Sequence, residues 1–259
     1  MSKITINTEL CKGCGQCVKD CGVGIIKIEN GKAVISEESK NNCMGCGHCV
    51  AVCKSQAITI FNQPTEALPE DDSLISIMKR RRAIRQYKSD LIPQEEIREM
   101  LNVTKYSASG CNFRPIKFLV LSGEKFNEFI EYALKVLKDI NDGSIPPIVK
   151  AFCEAPNGKE MFTRGSPHAV FAYGTTDKRT GEYAFDDAVI QLTQFELVAV
   201  QRGYGTLWSA MLKTAMNLPG VLEHYGLKDV KCYHALNLGI PSVKYHNVAS
   251  REDVDVLFI

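Results

Sequence analysis

The sequence CKGCGQCVKDC at residues 11–21 returns at residues 43–53 as CMGCGHCVAVC. Both copies have the cysteine spacing C-x2-C-x2-C-x3-C, and a short apolar stretch follows each one, at 24–28 after the first copy and at 57–60 after the second. Glycines between the first three cysteines let the backbone turn closely and bring its N–H groups toward the sulfur atoms. We therefore interpret residues 1–62 as a tandem duplication of a loop, a short helix and a strand.

Cysteine is concentrated in this duplicated region. Eight of the eleven cysteines lie within the first 53 residues, whereas Cys111, Cys153 and Cys232 are scattered. The N-terminal residues lack the long apolar core of a secretion signal, and thiols in the cytosol are kept reduced. A dense cysteine block in that setting indicates metal ligation rather than disulfides. We expect a cytoplasmic protein, and we interpret the three scattered cysteines as buried or incidental thiols.

Composition and net charge indicate whether the protein is suited to bind nucleic acid or a membrane. The 259 residues are 45% hydrophobic and 24% charged, with a formal net charge of +1, which is ordinary for a soluble globular protein. A nearly neutral chain has no electrostatic reason to bind nucleic acid or an anionic membrane surface. No apolar run approaches the length that spans a bilayer. We expect neither nucleic acid nor a membrane as a partner.

The repeated cysteine run resembles that of bacterial two-cluster ferredoxins, in which the fourth cysteine of each run ligates the cluster of the other run. The resemblance implies two [4Fe–4S] clusters, one held by Cys11, Cys14, Cys17 and Cys53 and the other by Cys43, Cys46, Cys49 and Cys21. In those ferredoxins a proline follows each fourth cysteine, whereas Gly22 and Lys54 stand there in this chain, which weakens local rigidity. The alternative is a pair of structural Zn(Cys)4 sites, because zinc also favours thiolates in C-x2-C pairs.

A polar stretch at residues 63–72, with prolines at 64 and 69, is interpreted as a linker to a second domain at 73–259. Ser73 is the predicted N-cap of a helix that ends near the basic residues 80–82. The clearest helix runs from about Tyr183 to Arg202, and Gly203 ends it. Pro93 suits the first turn of a further helix, which runs through Ile97, Met100 and Leu101. A helix is also predicted at 126–137, and strands are predicted at 116–121, 169–173, 232–238 and 254–259. Mixed helices and strands around a long central helix predict an α+β fold.

Four segments beyond residue 73 resemble, in the expected order, signatures of the FMN-dependent nitroreductase family. They are RRRAIRQY at 80–87, SASGCNFRP at 107–115, GYGTLW at 203–208 and LNLGIP at 236–241. The family patterns to which they are similar are R-R-S-I-R-x-F/Y, A-P-S-x-x-N-x-Q-P, G-L-G-T-x-W and L-x-L-G-Y-P. Together these segments span nearly all of the second region, which is therefore expected to have the nitroreductase-like fold.

The resemblance implies a flavin phosphate site in the basic segment. Arg81 and Arg85 correspond to the family's phosphate-binding arginines, with Arg82 and Ala83 lining the site, and Arg251 or Lys244 is the basic residue expected from the C-terminal part. Arginine suits a phosphate dianion because its planar fork binds two oxygens at once. The alternative is a solvated basic helix end at 79–85, where positive charge favours the helix dipole.

Two further segments are implied to reach the flavin ring. Ser109, Gly110 and Asn112 match the loop that contacts the flavin from the partner subunit, while Leu207, Ser209 and Ala210 match the strip beside its reactive edge. Trp208 is interpreted as a core residue rather than a flavin contact. Ala83 replaces the usual serine and Arg114 the usual glutamine. No side chain is assigned as catalytic, because N5 of the flavin is the reactive centre in this family.

These features predict a homodimeric, FMN-dependent oxidoreductase. It is expected to take single electrons through the two clusters to FMN, from a reduced ferredoxin-like protein or NAD(P)H, and to reduce a small acceptor such as a nitroaromatic or a quinone. One alternative is an electron-transfer or redox-sensing module that passes electrons to a protein partner. Another is an NAD(P)H-oxidising flavoprotein whose clusters are the exit path. The chain has no G-x-G-x-x-G fingerprint after a strand, but nitroreductases admit nicotinamide without one.

Overall fold

The computed structural model describes residues 4–140, 151, 158–177 and 180–259. Cys153, interpreted as a buried or incidental thiol, lies outside the described residues. The chain forms two compact units, one made of residues 1–80 with 243–259 and the other of residues 81–242. None of the described helices is long and apolar enough to cross a membrane.

The first unit contains the duplicated cysteine region. Its elements in chain order are β1 (Ile4–Ile6), α1 (Gln16–Lys19), β2 (Ile26–Glu29), β3 (Lys32–Ile35), a 3-10 turn (Lys40–Asn42), α2 (His48–Val52), β4 (Ile58–Ile60) and α3 (Leu74–Arg80). β1 pairs with β4 and β2 with β3, both antiparallel, so the first strand of the unit lies beside the strand that follows the second cysteine block. The small core consists of isoleucines, valines, alanines and cysteine side chains from both repeats.

A four-stranded antiparallel sheet forms the centre of the second unit. Its strands are β5 (Ile116–Ser122), β6 (His168–Thr175), β7 (Gly205–Trp208) and β8 (Val230–Gly239), in the spatial order β5-β6-β8-β7. The helices are α4 (Gln94–Asn102), α5 (Glu124–Asp139), α6 (Gly158–Thr163), α7 (Gly181–Gln201), α8 (Ala210–Met216) and α9 (Val221–His224), with 3-10 turns at Val103–Tyr106 and Gly110–Asn112. One face of the sheet packs on residues of α5, α8 and α9, and the other on residues of α4 and α7.

The long helix α7 ends as its sequence predicts. Gly203 has φ +83°, its N–H donates to the carbonyl of Val200, and the N–H of Tyr204 donates to the carbonyl of Ala199. This is a Schellman motif, in which a glycine in the left-handed region closes the helix. The predicted N-cap of α3 also forms, since the hydroxyl of Ser73 accepts a 3.3 Å hydrogen bond from the N–H of Ser76.

Two segments differ from what the sequence predicts, the expected linker at 63–72 and the expected strand at 254–259. Residues 66–68 pair with 246–248, because the N–H of Leu68 donates to the carbonyl of His246 and the N–H of Val248 to that of Glu66. Part of the expected linker therefore forms backbone hydrogen bonds within the first unit. The strand expected at 254–259 is wrong for the described chain, in which these residues are exposed and have no strand partner. A strand needs an adjacent edge to accept its hydrogen bonds.

Candidate functional site

One set of predicted cysteine ligands comes together in the first unit. Cys11, Cys14, Cys17 and Cys53 all line one cavity, although Cys53 belongs to the other repeat. Burial raises the pKa of Cys17 to about 11, and the nearby sulfurs of Cys53, Cys11 and Cys14 contribute to the rise. The thiols surround a space, which is the arrangement that a cuboidal cluster needs because its irons lie at separate corners.

The second set shows the same crossing between repeats. Burial raises the pKa of the Cys49 thiol, and the sulfurs of Cys46 and Cys21 raise it further, followed by Cys17 of the first set. Cys21 belongs to the first repeat, so each set again has a member from the other block. In the part of the chain that the structure describes, no three His, Cys, Asp or Glu side chains are grouped as ligands of a single metal ion.

Backbone N–H groups point at the sulfurs of the first set. Cys11 Sγ accepts from the N–H groups of Gly13, at 3.4 Å, and Ala33, at 3.3 Å. Cys53 Sγ accepts from the N–H of Ala57 at 3.3 Å. The hydrogen bond from Ala33 is the main reason that the pKa of Cys11 is lowered, so the thiolate form is favoured. These contacts stabilise a cysteine thiolate, which is the form in which cysteine binds an iron–sulfur cluster.

Glycine is required in the turn of each cysteine block. Gly13 has φ +67°, and a Cβ atom there would lie 2.0 Å from the carbonyl oxygen of Gly31. Gly45 in the second block has the same φ of +67°. A Cβ on Gly47 would lie 2.9 Å from Arg251 Nη1. The duplicated sequence therefore folds into duplicated loops, and the second loop is covered by the C-terminal segment.

That C-terminal segment, residues 243–251, lies along the second cysteine block. Asn247 Nδ2 donates to the carbonyls of Val50 and Cys53, at 2.9 and 2.8 Å, and the N–H groups of His246 and Asn247 donate to the carbonyl of Ala51. The segment carries the two basic residues predicted for the flavin phosphate. Lys244 and Arg251 are both exposed, and Arg251 Nη1 donates to the carbonyls of Ala249 and Ser250.

In the second unit the predicted phosphate-binding segment lies along β7. Helix α3 has Lys79 and Arg80 in its last turn, as the alternative interpretation expects, whereas residues 81–85 lie beyond the end of the helix. Ala83 pairs with Thr206 in a parallel bridge, and the N–H of Ile84 donates to the carbonyl of Thr206 at 2.8 Å. Arg81, Ala83 and Arg85 are half-buried and Arg82 is buried. This pairing brings the basic segment beside Leu207.

A buried carboxylate supports this part of the site. Glu196 on α7 is 3% exposed and accepts from the hydroxyl of Thr206 at 2.7 Å and the indole N–H of Trp208 at 3.1 Å. Arg81 Nη1 lies 3.8 Å from Glu196 Oε1. Trp208 packs against the apolar cluster beside α7, as predicted for a core residue. Glu196 thus connects the first arginine of the basic segment to β7.

The strip predicted to lie beside the reactive edge of the flavin follows β7 directly. Leu207 is half-buried, the hydroxyl of Ser209 accepts from the N–H of Leu212 at 3.1 Å as N-cap of α8, and Ala210 is exposed at the first position of that helix. The N–H of Ser209 donates to the carbonyl of Ala235 on β8. The strip is therefore held by the sheet and by a capped helix start.

The loop predicted to reach the flavin is held by α7. Ser109 Oγ donates to Asp187 Oδ2 at 2.7 Å, and the N–H of Gly110 donates to Asp187 Oδ1 at 3.1 Å. Cys111 and Asn112 follow with φ of +48° and +57°. Non-glycine residues rarely adopt positive φ angles, and they keep them only where contacts with neighbouring residues fix the backbone. Asn112 and the thiol of Cys111 are exposed on the loop.

Comparison with known proteins agrees with this geometry. Residues 78–240, more than half of the chain, match the nitroreductase family. The chain belongs to the nitroreductase family. Residues 10–58 match the 4Fe-4S dicluster domain, so that an iron–sulfur domain precedes the nitroreductase domain.

Individual relatives are distant in sequence. The putative NAD(P)H nitroreductase YfhC of Bacillus subtilis is 24% identical over 178 residues, which cover 66% of this chain and 86% of that protein. A nitroreductase with bound FMN from Bacteroides fragilis superposes with a TM-score of 0.59 at 18% identity, covering 72% of this chain and 98% of the other. The FMN-dependent nitroreductase NfnB from Mycobacterium smegmatis, solved with NADPH, gives 0.53 at 16% identity, covering 68% and 92%. At these identities the solved structures show the fold, and they confirm the predicted nitroreductase-like α+β class.

One residue of this nitroreductase domain was missed by the sequence reasoning. Burial lowers the pKa of Arg164, and the positive charge of Arg85 lowers it further. The segments that carry them both pass Gly239, where a Cβ would lie 2.8 Å from Pro167 and 2.9 Å from Tyr87. A single arginine before a strand carries no motif, so nothing in the sequence marked Arg164.

The turn that carries Arg164 is fixed by a buried amide. Arg164 has φ +49°. Asn237 Nδ2 donates to the carbonyls of Phe162 and Thr163, both at 3.0 Å, and to Ser166 Oγ at 2.9 Å. Asn237 belongs to the LNLGIP signature and is fully buried. This signature therefore orients the turn before β6, in addition to its place in the sheet.

Proposed function

We propose that this protein is a flavin-dependent reductase that takes single electrons through two [4Fe–4S] clusters to FMN and reduces a small acceptor. The observation that carries the proposal is the crossing of the two cysteine sets, with Cys53 beside the first block and Cys21 beside the second, in a chain that also carries a nitroreductase domain. Ferredoxins with two clusters use this crossing. Clusters carry single electrons, whereas flavin can gather two, so the fusion links one-electron donors to two-electron chemistry.

FMN would be held by the residues that the family resemblance implies. Arg81, Arg82, Ala83 and Arg85 supply the positive segment along β7, while Leu207, Ser209 and Ala210 supply the strip beside the ring. Ser109, Gly110 and Asn112 would come from the partner subunit, and Lys244 and Arg251 are the proposed basic residues of the C-terminal part. We add Arg164, because the charge of Arg85 lowers its pKa and a second guanidinium group near the basic segment favours an anion.

The electron donor is proposed to be a reduced ferredoxin-like protein that reaches the clusters. A second candidate uses NAD(P)H, with the clusters as the exit path. It is favoured by the names of the relatives, since YfhC is called a putative NAD(P)H nitroreductase and NfnB was solved with NADPH. Nitroaromatics or quinones are the proposed acceptors, because reduced flavin supplies the hydride or electrons that such compounds accept.

We also propose a homodimer in the cytoplasm. Val254 and Phe258 are 88% and 90% exposed, and Val256 and Leu257 beside them are exposed too. An apolar segment of this kind indicates an interaction site. Strand β5 lies at one end of the sheet order, and an edge strand is a place where another chain can pair. A cytoplasmic location suits cysteine ligands that are free thiols, because thiols stay reduced in that compartment.

Anaerobic absorbance spectroscopy tests the proposal. The purified protein is mixed in turn with NADH, NADPH and reduced ferredoxin, and the flavin and cluster bands are followed. The leading proposal predicts that ferredoxin bleaches both sets of bands and that nicotinamide leaves them unchanged. Direct bleaching of the flavin by nicotinamide would contradict it and favour the second candidate. Turnover of a small acceptor after reduction separates a reductase from a module that relays electrons only to a protein.

A further inference from the structure

The fourth cysteine of each block begins a tight turn. The N–H of Gln56 donates to the carbonyl of Cys53 at 3.1 Å, and the N–H of Gly24 donates to the carbonyl of Cys21 at 3.4 Å. Each hydrogen bond joins residue i to residue i+3, which defines a β-turn. Lys54 and Gly22 therefore occupy the i+1 positions of these turns.

Position i+1 is the place where proline is favoured, because its ring sets φ in advance. It is also the place where the ferredoxin pattern has its proline. Cys53 itself is extended, with φ −80° and ψ 99°, and lies outside the helical region that proline disfavours for the residue before it. The turn after Cys53 therefore has Lys54 at the position that proline favours, and Lys54 does not fix φ as proline would.

The side chain of Asn247 forms hydrogen bonds with both ends of the turn at Cys53. Its Nδ2 donates to the carbonyl of Cys53 at 2.8 Å, and its Oδ1 accepts from Gln56 Nε2 at 3.3 Å, so one side chain contacts residues i and i+3. Nδ2 also donates to the carbonyl of Val50 within α2. Asn247 is 2% exposed, so these hydrogen bonds do not compete with water.

We propose that Asn247 is a positioning residue for the cysteine ligand Cys53 and holds its turn in place of the absent proline. The inference rests on the proposed clusters. Its consequence is that the cluster of Cys11, Cys14, Cys17 and Cys53 depends on a segment 194 residues away in sequence. The turn at Cys21 has a different support, since the hydroxyl of Tyr245 donates to Asp20 Oδ1 at 3.3 Å. Loss of Asn247 should therefore affect one cluster more than the other.

The test compares Asn247→Ala with the double variant Asn247→Ala/Lys54→Pro in the full-length, cluster-loaded protein. Lys54→Pro suits the turn, because the N–H at i+1 takes no part in its i to i+3 hydrogen bond. The matched control is Asn217→Ala in the other unit. Asn217 Nδ2 also donates to two carbonyls, those of Lys213 and Cys232, and its Oδ1 accepts from the N–H of Cys232.

Two readouts are followed anaerobically, the rate of iron release to a chelator and the electron paramagnetic resonance spectrum of the reduced clusters. We expect Asn247→Ala to release half of its iron at least about tenfold faster than wild type, equivalent to about 1.4 kcal/mol. The double variant should return to within about threefold of wild type, about 0.7 kcal/mol. Asn217→Ala should match wild type in both readouts.

Wild-type iron release in Asn247→Ala would overturn the inference, and so would a double variant that stays fast while Lys54→Pro alone keeps both clusters. Equal loss of both clusters together with the flavin would contradict a role confined to Cys53. The proposed function fails separately, by the absence of [4Fe–4S] signals from the wild-type protein, which would remove the basis of the inference as well.

Discussion

Ser109 donates a 2.7 Å hydrogen bond from its hydroxyl to Oδ2 of Asp187, a carboxylate that is 2% exposed on the long helix α7. The second oxygen of Asp187 accepts the N–H of Gly110. One buried side chain therefore anchors the start of the loop that is proposed to contact the flavin, and the next residues adopt positive φ angles that need such an anchor.

Replacing Asp187 by Asn should loosen this loop, because the amide nitrogen cannot accept the hydrogen bond that a carboxylate oxygen accepts. We expect a loss of stability of about 1–3 kcal/mol, typical of a buried group left unsatisfied, together with weaker FMN binding. Flavin fluorescence titration and thermal melting measure the two effects. Asp186→Asn is the matched control, since Asp186 is the exposed neighbour on the same helix. Equal behaviour of the two variants would contradict an anchoring role.

The proximity of Arg85 and Arg164 predicts that Arg164→Gln stabilises the flavin-free protein but weakens its binding of FMN. Arg164→Gln removes the repulsion between like charges, so the flavin-free form should melt at a higher temperature than wild type. The same change removes a cation from the proposed FMN site, so affinity for FMN should fall on the order of tenfold. Arg98→Gln, at an exposed arginine paired with Glu95, should change neither quantity. A lower melting temperature in the flavin-free variant would contradict the proposed repulsion.

His168 predicts a dependence of stability on pH. Its Nε2 accepts from the N–H of Ile92 at 2.9 Å and its Nδ1 lies 2.7 Å from Ser122 Oγ, so the ring is neutral, and burial lowers its pKa to about 4. In the unfolded chain histidine binds a proton near pH 6.5. Between pH 6.5 and 4 the unfolded state holds the extra proton, so the free energy of unfolding falls as pH falls, by up to about 1.4 kcal/mol per pH unit.

Unfolding measured at several pH values checks this slope. His168→Gln should be less stable than wild type at pH 7, where it loses the imidazole hydrogen bonds, and the difference should shrink toward pH 4. His224→Gln, at an exposed histidine, should keep the wild-type slope. Parallel pH profiles for wild type and His168→Gln would show that His168 does not carry the effect.

The exposed apolar residues of the C-terminal part predict a dimer that can be weakened by a single charge. Phe258→Asp should raise the dissociation constant of the homodimer at least about tenfold, because an apolar anchor becomes charged. Asp255→Asn, in the same segment, should leave the dimer intact. Light scattering coupled to gel filtration gives the mass of each variant. A wild-type protein that is monomeric at micromolar concentration would contradict the dimer itself.

The sequence predicts local structure well where the side chain or backbone preference of a single residue determines it. Ser73 caps its helix and Gly203 closes another, because side-chain capping and positive φ are properties of single residues. The crossing of Cys53 and Cys21 between blocks agrees with the duplicated motif. The nitroreductase signatures in turn mark the domain to which the family comparison assigns residues 78–240.

Long-range pairings carry no such local signal. No sequence pattern near Asn247 predicts that its amide donates to the carbonyl of Cys53. An isolated Asn in an irregular segment can form many different hydrogen bonds. Arg164 was missed for the same reason. The strand expected at 254–259 shows the opposite error, because an alternating apolar pattern indicates that a strand is able to form but not which edge accepts it.

Stopped-flow reduction with reduced ferredoxin measures whether electrons reach the flavin through the clusters. Flavin absorbance is followed in wild type, in Cys53→Ser and in Cys232→Ser, whose buried thiol lies outside the cysteine blocks. We expect Cys53→Ser to slow flavin reduction at least about tenfold, a rise in barrier of about 1.4 kcal/mol, while Cys232→Ser keeps the wild-type rate. Equal rates in all three proteins, with the iron signal of one cluster lost from Cys53→Ser, would contradict this electron path.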